Sequence, residues 1–334
     1  MKINMREWKE TLIKRETRAA IPVMTHPGIE AIGATIQEAV KQGEVQYQAI
    51  RSLAESYPSA ASTMIMDLSV EAEAFGAQVK FAEHEIPTVA DILLKDEAKI
   101  RALSLPKMEA GRLPQYVEAA RKAAQAIDDR PVFAGCIGPF SLAGRLLGMT
   151  EIMTALLLDP EPVQLLLEKC TAFLTNYIQE FKNCGASGIF IAEPAAGMLS
   201  PDMCESFSSH YIRQLVSALQ DDYFMIVLHN CGNTDPLLET MQNTGAAGLH
   251  FGNRCDIVKA LDAIDDSILI MGNLDPVNVM KMASEEEVYT ATRKLLEATR
   301  GHSNFVLSSG CDTPPGVPQA NIDAFFRALK VFNG

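Results

Sequence analysis

Apolar residues fall along the chain in two alternating patterns: short runs of strand length, and longer stretches in which they recur every three or four positions. The runs are Ile21–Met24, Gln78–Phe81, Pro131–Cys136, Gly188–Ala192, Phe224–Leu228, Ala246–Phe251, Ser267–Met271 and Asn304–Leu307. Each has the length of a buried strand, and the segments between them leave room for helices. The clearest helical stripe is Val163, Leu166, Leu167, Cys170, Phe173, Leu174, Tyr177 and Phe181. It follows Asp159-Pro160, read as an N-cap and a helix-opening proline, and stops at Gly185. Strand and helix repeated eight times predict an α/β fold, a parallel (β/α)8 barrel. Residues 1–20 read as a leading amphipathic helix. The segment 57–111 exceeds one strand–helix unit and is expected to carry extra helices or a lid. No Pro- or Ser-rich linker divides residues 1–334, so a single domain is expected.

Gly232-Asn-Thr-Asp-Pro236 is echoed by Gly272-Asn-Leu-Asp-Pro276, each after a strand run, each read as a turn feeding an Asp-capped helix. In such a barrel, side chains at the C-terminal strand ends share one mouth. Phe224–Leu228 leads into His229-Asn-Cys231, and residues two apart on a strand face the same way. Asn304–Leu307 leads through Ser308-Ser-Gly310 to Cys311. One imidazole and two thiolates from separate strands match a catalytic zinc site with an open position better than the paired short loops of a structural one. Two thiolate donors would keep a further bound sulfur electron-rich, which suits thiol alkylation better than water activation. Glu193, Asn253 and His26 follow other strand runs and His250 sits at the end of one; all four are expected at the same rim, with Glu193 and His250 the candidates for catalytic roles.

Charge narrows the partners. The chain has 334 residues, 48% hydrophobic, with a net charge of −13, which argues against nucleic acid or an anionic membrane as the main partner. No apolar stretch approaches the roughly 20 residues of a membrane span, and the first residues lack an apolar signal core. A cytoplasmic protein is expected. Seven irregularly spaced cysteines point to reduced thiols or metal ligation, not to a disulfide framework.

The stretches Asp67-Leu-Ser-Val-Glu-Ala-Glu-Ala-Phe-Gly76, Gly138-Pro-Phe-Ser-Leu-Ala143, Leu228-His-Asn-Cys-Gly-Asn233 and Ser309-Gly-Cys-Asp312 resemble the uroporphyrinogen decarboxylase superfamily, and within it the methylcobalamin:coenzyme M methyltransferase branch. The resemblance implies a (β/α)8 barrel. It also implies Zn2+ on His229, Cys231 and Cys311, and transfer of a methyl group from a methylcorrinoid to a zinc-bound small thiol such as coenzyme M. Decarboxylase members share an Arg-rich N-terminal stretch; here Pro22-Val-Met-Thr-His26-Pro-Gly28 holds no arginine. Decarboxylation is therefore the second expectation, and a non-catalytic zinc- or corrinoid-binding protein the third. Methyltransferase relatives carry acidic residues where this chain has Gly252 and Asn253. No corrinoid-binding Asp-x-His-x-x-Gly signature is present, so the corrinoid is expected on a separate protein or free. A small anionic thiol needs a cation, for which Arg145 and Arg254 are candidates, with His26 and Asn253 as further substrate-binding residues.

Overall fold

Apolar runs with no polar alternation can bury both faces only if helices cover one side and other strands the second. The structure, a computed structural model, describes residues 2–334. Its strands are β1 (Ser62–Thr63), β2 (Val79–Lys80), β3 (Thr88–Val89), β4 (Val132–Ile137), β5 (Gly188–Ala192), β6 (Met225–Asn230), β7 (Gly248–Phe251), β8 (Leu269–Leu274) and β9 (Phe305–Ser309). Seven form one parallel sheet in the order β1-β4-β5-β6-β7-β8-β9. Residues 19–23 close it. Ile21 N donates to Leu307 O at 2.9 Å, Leu307 N to Ala19 O at 3.0 Å, and on the other side Ala60 N donates to Ala20 O at 2.8 Å. The expected barrel is present, with helices outside.

Two expectations are corrected. The Gln78–Phe81 run is not a barrel strand: β2 pairs antiparallel with β3 in a separate two-stranded arm. The second barrel position belongs to β1, whose two paired residues are polar. Asp159 does not cap the long helix; it closes the preceding helix Met149–Leu158, and Glu161–Asn183 starts after Pro160 with no side-chain cap. The expected stripe of that helix is fully buried.

Strand alternation divides the core. Phe133, Phe190, Met225, Val227, Leu269, Met271 and Val306 form one cluster with Met5 and Leu12 of the leading helix Met5–Lys14. This is the barrel interior, stoppered at its lower end by that helix, whose Trp8 ring sits 6.0 Å from the Phe133 ring. The outward residues pack under the helices in the larger cluster. Between β1 and β4 lie helix Val70–Ala74, the β2–β3 arm and helix Glu97–Ala102. No single helix is long and apolar enough to cross a membrane.

Candidate metal centre

Above the apolar layer of the barrel interior, the same alternation brings polar side chains inward: His229 two residues after Val227, His250 two after Gly248, and Ser308 two after Val306. His229 pairs in register with Ala192 of β5 and His250 of β7. Cys231 lies just past the end of β6, and close backbone packing fixes its turn. Asn230 Nδ2 donates to Glu193 O at 2.8 Å, and its Oδ1 accepts from Gly232 N at 2.8 Å. A Cβ on Gly232 would lie 2.9 Å from Gly197 Cα, and one on Gly252 only 2.5 Å from Cys231 Cα. Cys311 follows β9, whose exit is held where Gly310 N donates to Leu274 O at 2.6 Å.

The result is a cluster. His229 Nε2 lies 3.5 Å from Cys311 Sγ, and the donor atoms of His229, Cys231 and Cys311 are all within 4.8 Å of one another. The Cys311 thiol bonded to Cys231 brings the Cys231 pKa down to about 4, helped by His229 and opposed by burial. The same contact, with burial, pushes Cys311 upward. The contact thus favours the thiolate form of Cys231, beside an imidazole nitrogen. This donor set fits a soft divalent ion.

The cluster opens on a cavity of about 240 Å³. Its lining includes Ala192, Pro194 and Arg145, together with Met66, Leu68 and the Ile86–Val89 end of the β2–β3 arm. Arg145, exposed on helix Pro139–Leu147, makes no ion pair among the described residues. Asp312 also lines the cavity. Its carboxylate accepts from Thr25 Oγ1 at 2.7 Å and lies 3.7 Å from Nδ1 of buried His26. Burial opposes charge on His26, but Asp312 and the Thr313 carbonyl outweigh it and raise its pKa.

The other expected residues lie off the cavity. The buried Glu193 carboxylate accepts from Phe140 N at 3.1 Å and Ser141 N at 2.6 Å, capping helix Pro139–Leu147. Burial, opposed by Ser141 and Phe140, leaves it near 7. Gly138 lacks the Cβ that would collide with this carboxylate. His250 is fully buried behind His229, where burial and then His229 hold its pKa well below the usual imidazole value. Asn253 Nδ2 donates to Asp275 Oδ2 at 2.8 Å, and exposed Arg254 lies beside it; neither lines the cavity. Sequence reasoning passed over Asp312, Asn230 and Ser308. The first adjoins Cys311 and the second separates His229 from Cys231, so adjacency was the available signal. Ser308 shows only through the register.

A family model described as uroporphyrinogen decarboxylase (URO-D) matches residues 16–332. The chain belongs to the uroporphyrinogen decarboxylase family. Both methyltransferases and decarboxylases are among the relatives of this uroporphyrinogen decarboxylase family member. The methylcobamide:CoM methyltransferase of Methanosarcina acetivorans is 30% identical over 268 residues, 79% of this chain and 77% of that protein. The uroporphyrinogen decarboxylase of Legionella pneumophila (strain Paris) is 27% identical over 294 residues, 86% of this chain and 81% of that one. A solved methyltransferase from Methanosarcina mazei superposes with a TM-score of 0.89 at 22% identity, covering 99% of each chain, which shows a shared fold.

Proposed function

We propose that this protein is a methyltransferase that moves a methyl group from a methylated corrinoid to a small anionic thiol, with Zn2+ held by His229, Cys231 and Cys311. The observation that carries this reading is the three-donor cluster opening on a cavity that also presents an unpaired arginine. Similarity to a methylcobamide:CoM methyltransferase supports it. Zinc, when bound, would favour ionisation of an incoming thiol. The protein's own groups do the rest. Arg145 meets the anionic end of the thiol, and the apolar wall from Met66 to the β2–β3 arm keeps water from the sulfur. The thiolate attacks the methyl carbon; the S–C bond forms as the Co–C bond breaks, and its electron pair stays on cobalt, taking Co(III) to Co(I). A cavity of about 240 Å³ takes a small thiol, not a corrin ring. The corrinoid therefore approaches the mouth from outside, delivered by a separate corrinoid protein or as free cofactor. Seven free cysteines fit the reducing cytosol as its setting.

Decarboxylation of a porphyrinogen requires several cations to grip its carboxylates. Among the described residues lining the cavity, Arg145 is the one cation.

Metal analysis of the purified protein should find about one zinc, lost in Cys231→Ala and Cys311→Ala along with methyl transfer from methylcobalamin. Their circular dichroism should stay that of the parent, because the apolar barrel interior lies below the cluster. Thiol binding should release about one proton, counted by calorimetry in buffers of different ionisation enthalpy. X-ray absorption should show a sulfur added to the zinc shell. Thiol binding with neither proton release nor an added sulfur would overturn the reading. Arg145→Ala should erode the preference for anionic over neutral thiols; equal losses for both would remove Arg145 from the substrate site.

A further inference from the structure

Behind His229 lies a file of polar contacts that methyl transfer does not itself use. Ser308 Oγ is 2.7 Å from the Ile21 carbonyl and 2.9 Å from His250 Nε2. His250 Nδ1 is 2.7 Å from His229 Nδ1, which also lies 3.2 Å from the His250 carbonyl. Every member is buried.

The protons in this file are determined from its ends. A carbonyl only accepts, so the single Ser308 proton goes to Ile21 O. Ser308 Oγ is then the acceptor for His250, which must carry its proton on Nε2. At the other end, the His250 carbonyl only accepts, so His229 Nδ1 is a donor. With a proton on His229 Nδ1, the facing His250 Nδ1 at 2.7 Å must be a lone pair. His250 is then neutral, and in a neutral His229 the Nε2 is the nitrogen left bare. That nitrogen points at Cys311 Sγ, 3.5 Å away.

We propose that Ser308 and His250 are positioning residues that lock His229 in its Nδ1–H tautomer, so that Nε2 permanently offers its lone pair to the cluster. A free neutral histidine favours the Nε2–H tautomer, and a ligand nitrogen carrying a proton cannot bind metal, so Nδ1–H has to be imposed by its partners. The tautomer assignment stands on the hydrogen bonds alone; its purpose, metal capture, rests on the function proposed above.

The test uses the full-length metal-free protein with 15N-labelled histidine at a pH where its buried imidazoles are neutral. NMR should show His229 protonated at Nδ1 and His250 at Nε2. In Ser308→Ala, the His250 signal should lose its fixed tautomer and His229 should follow in part, since the residue 250 carbonyl remains as a weaker acceptor. Zinc affinity, measured by competition with a chromophoric chelator, should fall about 10- to 100-fold in Ser308→Ala and in His250→Phe. A wild-type His229 protonated at Nε2 would overturn the assignment, and unchanged zinc affinity in both variants would overturn the positioning role. A wild-type protein that shows the tautomers but binds no zinc sinks the methyltransferase mechanism and leaves the tautomer lock standing. Ser308→Ala removes one oxygen from a buried site, so its folded fraction is checked from the dispersion of the same spectra.

Discussion

Gly252 sets how closely β7 approaches the turn that holds Cys231. A methyl group there would lie 2.5 Å from Cys231 Cα and 2.9 Å from its Cβ. Both are backbone-anchored atoms, so the turn itself must move. Gly252→Ala should therefore displace one donor, lowering zinc content and methyl transfer by at least about tenfold, with an overpacking cost of about 1–3 kcal/mol. Normal zinc stoichiometry and affinity in the variant would show that Cys231 is placed by something else. The three donors were legible in the sequence because two of them share a strand parity and the third follows another strand end. For Glu193 and His250 the sequence showed a position near strand ends but not their contacts. Position after a strand does not reveal that a carboxylate is already committed to two backbone N–H groups, or that an imidazole lies a layer below its neighbour.

Helix Pro139–Leu147 depends on Glu193 in place of a local N-cap, since Gly138 offers no side chain. Glu193→Ala strips Phe140 N and Ser141 N of their buried acceptor. It should lower unfolding free energy by about 1–3 kcal/mol, measurable by urea titration. Because the same helix carries Arg145, the Michaelis constant for an anionic thiol should rise as well. A Glu193→Ala protein of unchanged stability would contradict the cap. The echoed turns behave unequally for a related reason. Asp275 caps its helix by accepting from Val277 N and Asn278 N, whereas Asp235 turns its carboxylate to Asp256 N at 3.0 Å. A matching sequence specified the turn, and a tertiary partner decided the hydrogen bonds. The barrel strand β1 escaped notice because its paired residues Ser62 and Thr63 are polar and the apolar Met64-Ile65-Met66 after them is only three residues long. Gln78-Val-Lys-Phe81 displayed strand-like alternation, but a strand pattern reports extension and not the identity of the partner strand.

Across the whole molecule, Glu71 makes stability depend on pH. It is buried, its Oε1 accepts from Ile137 N at 3.0 Å, and its Oε2 has no partner. Burial pushes its pKa up to about 8. The folded state thus holds the proton more tightly than the unfolded one. The associated stability is complete below the unfolded value and is lost as pH rises through about 8. Thermal midpoints should fall across that window, and Glu71→Gln, which keeps the acceptor for Ile137 N, should flatten the fall. An equal slope in parent and variant would assign it to other groups. The barrel and its stoppering helix were readable from periodicity because they rest on alternation repeated along the chain. The Glu71 surroundings were not, because they join residues far apart in sequence.

Ring closure between residues 19–23 and β9 has a consequence for biosynthesis. The segment that β9 must join is made well before β9, the last of the described strands, so one edge of the sheet stays unpaired while the strands between are made. At about 5–20 residues per second, Cys311 leaves the ribosome's catalytic centre seconds after Cys231. A nascent chain therefore presents His229 and Cys231 as an incomplete cluster, and a single late event supplies both the missing thiol and the missing strand. Premature termination before β9 forfeits the two together, leaving an open sheet edge that invites chaperones and aggregation instead of a slightly impaired enzyme.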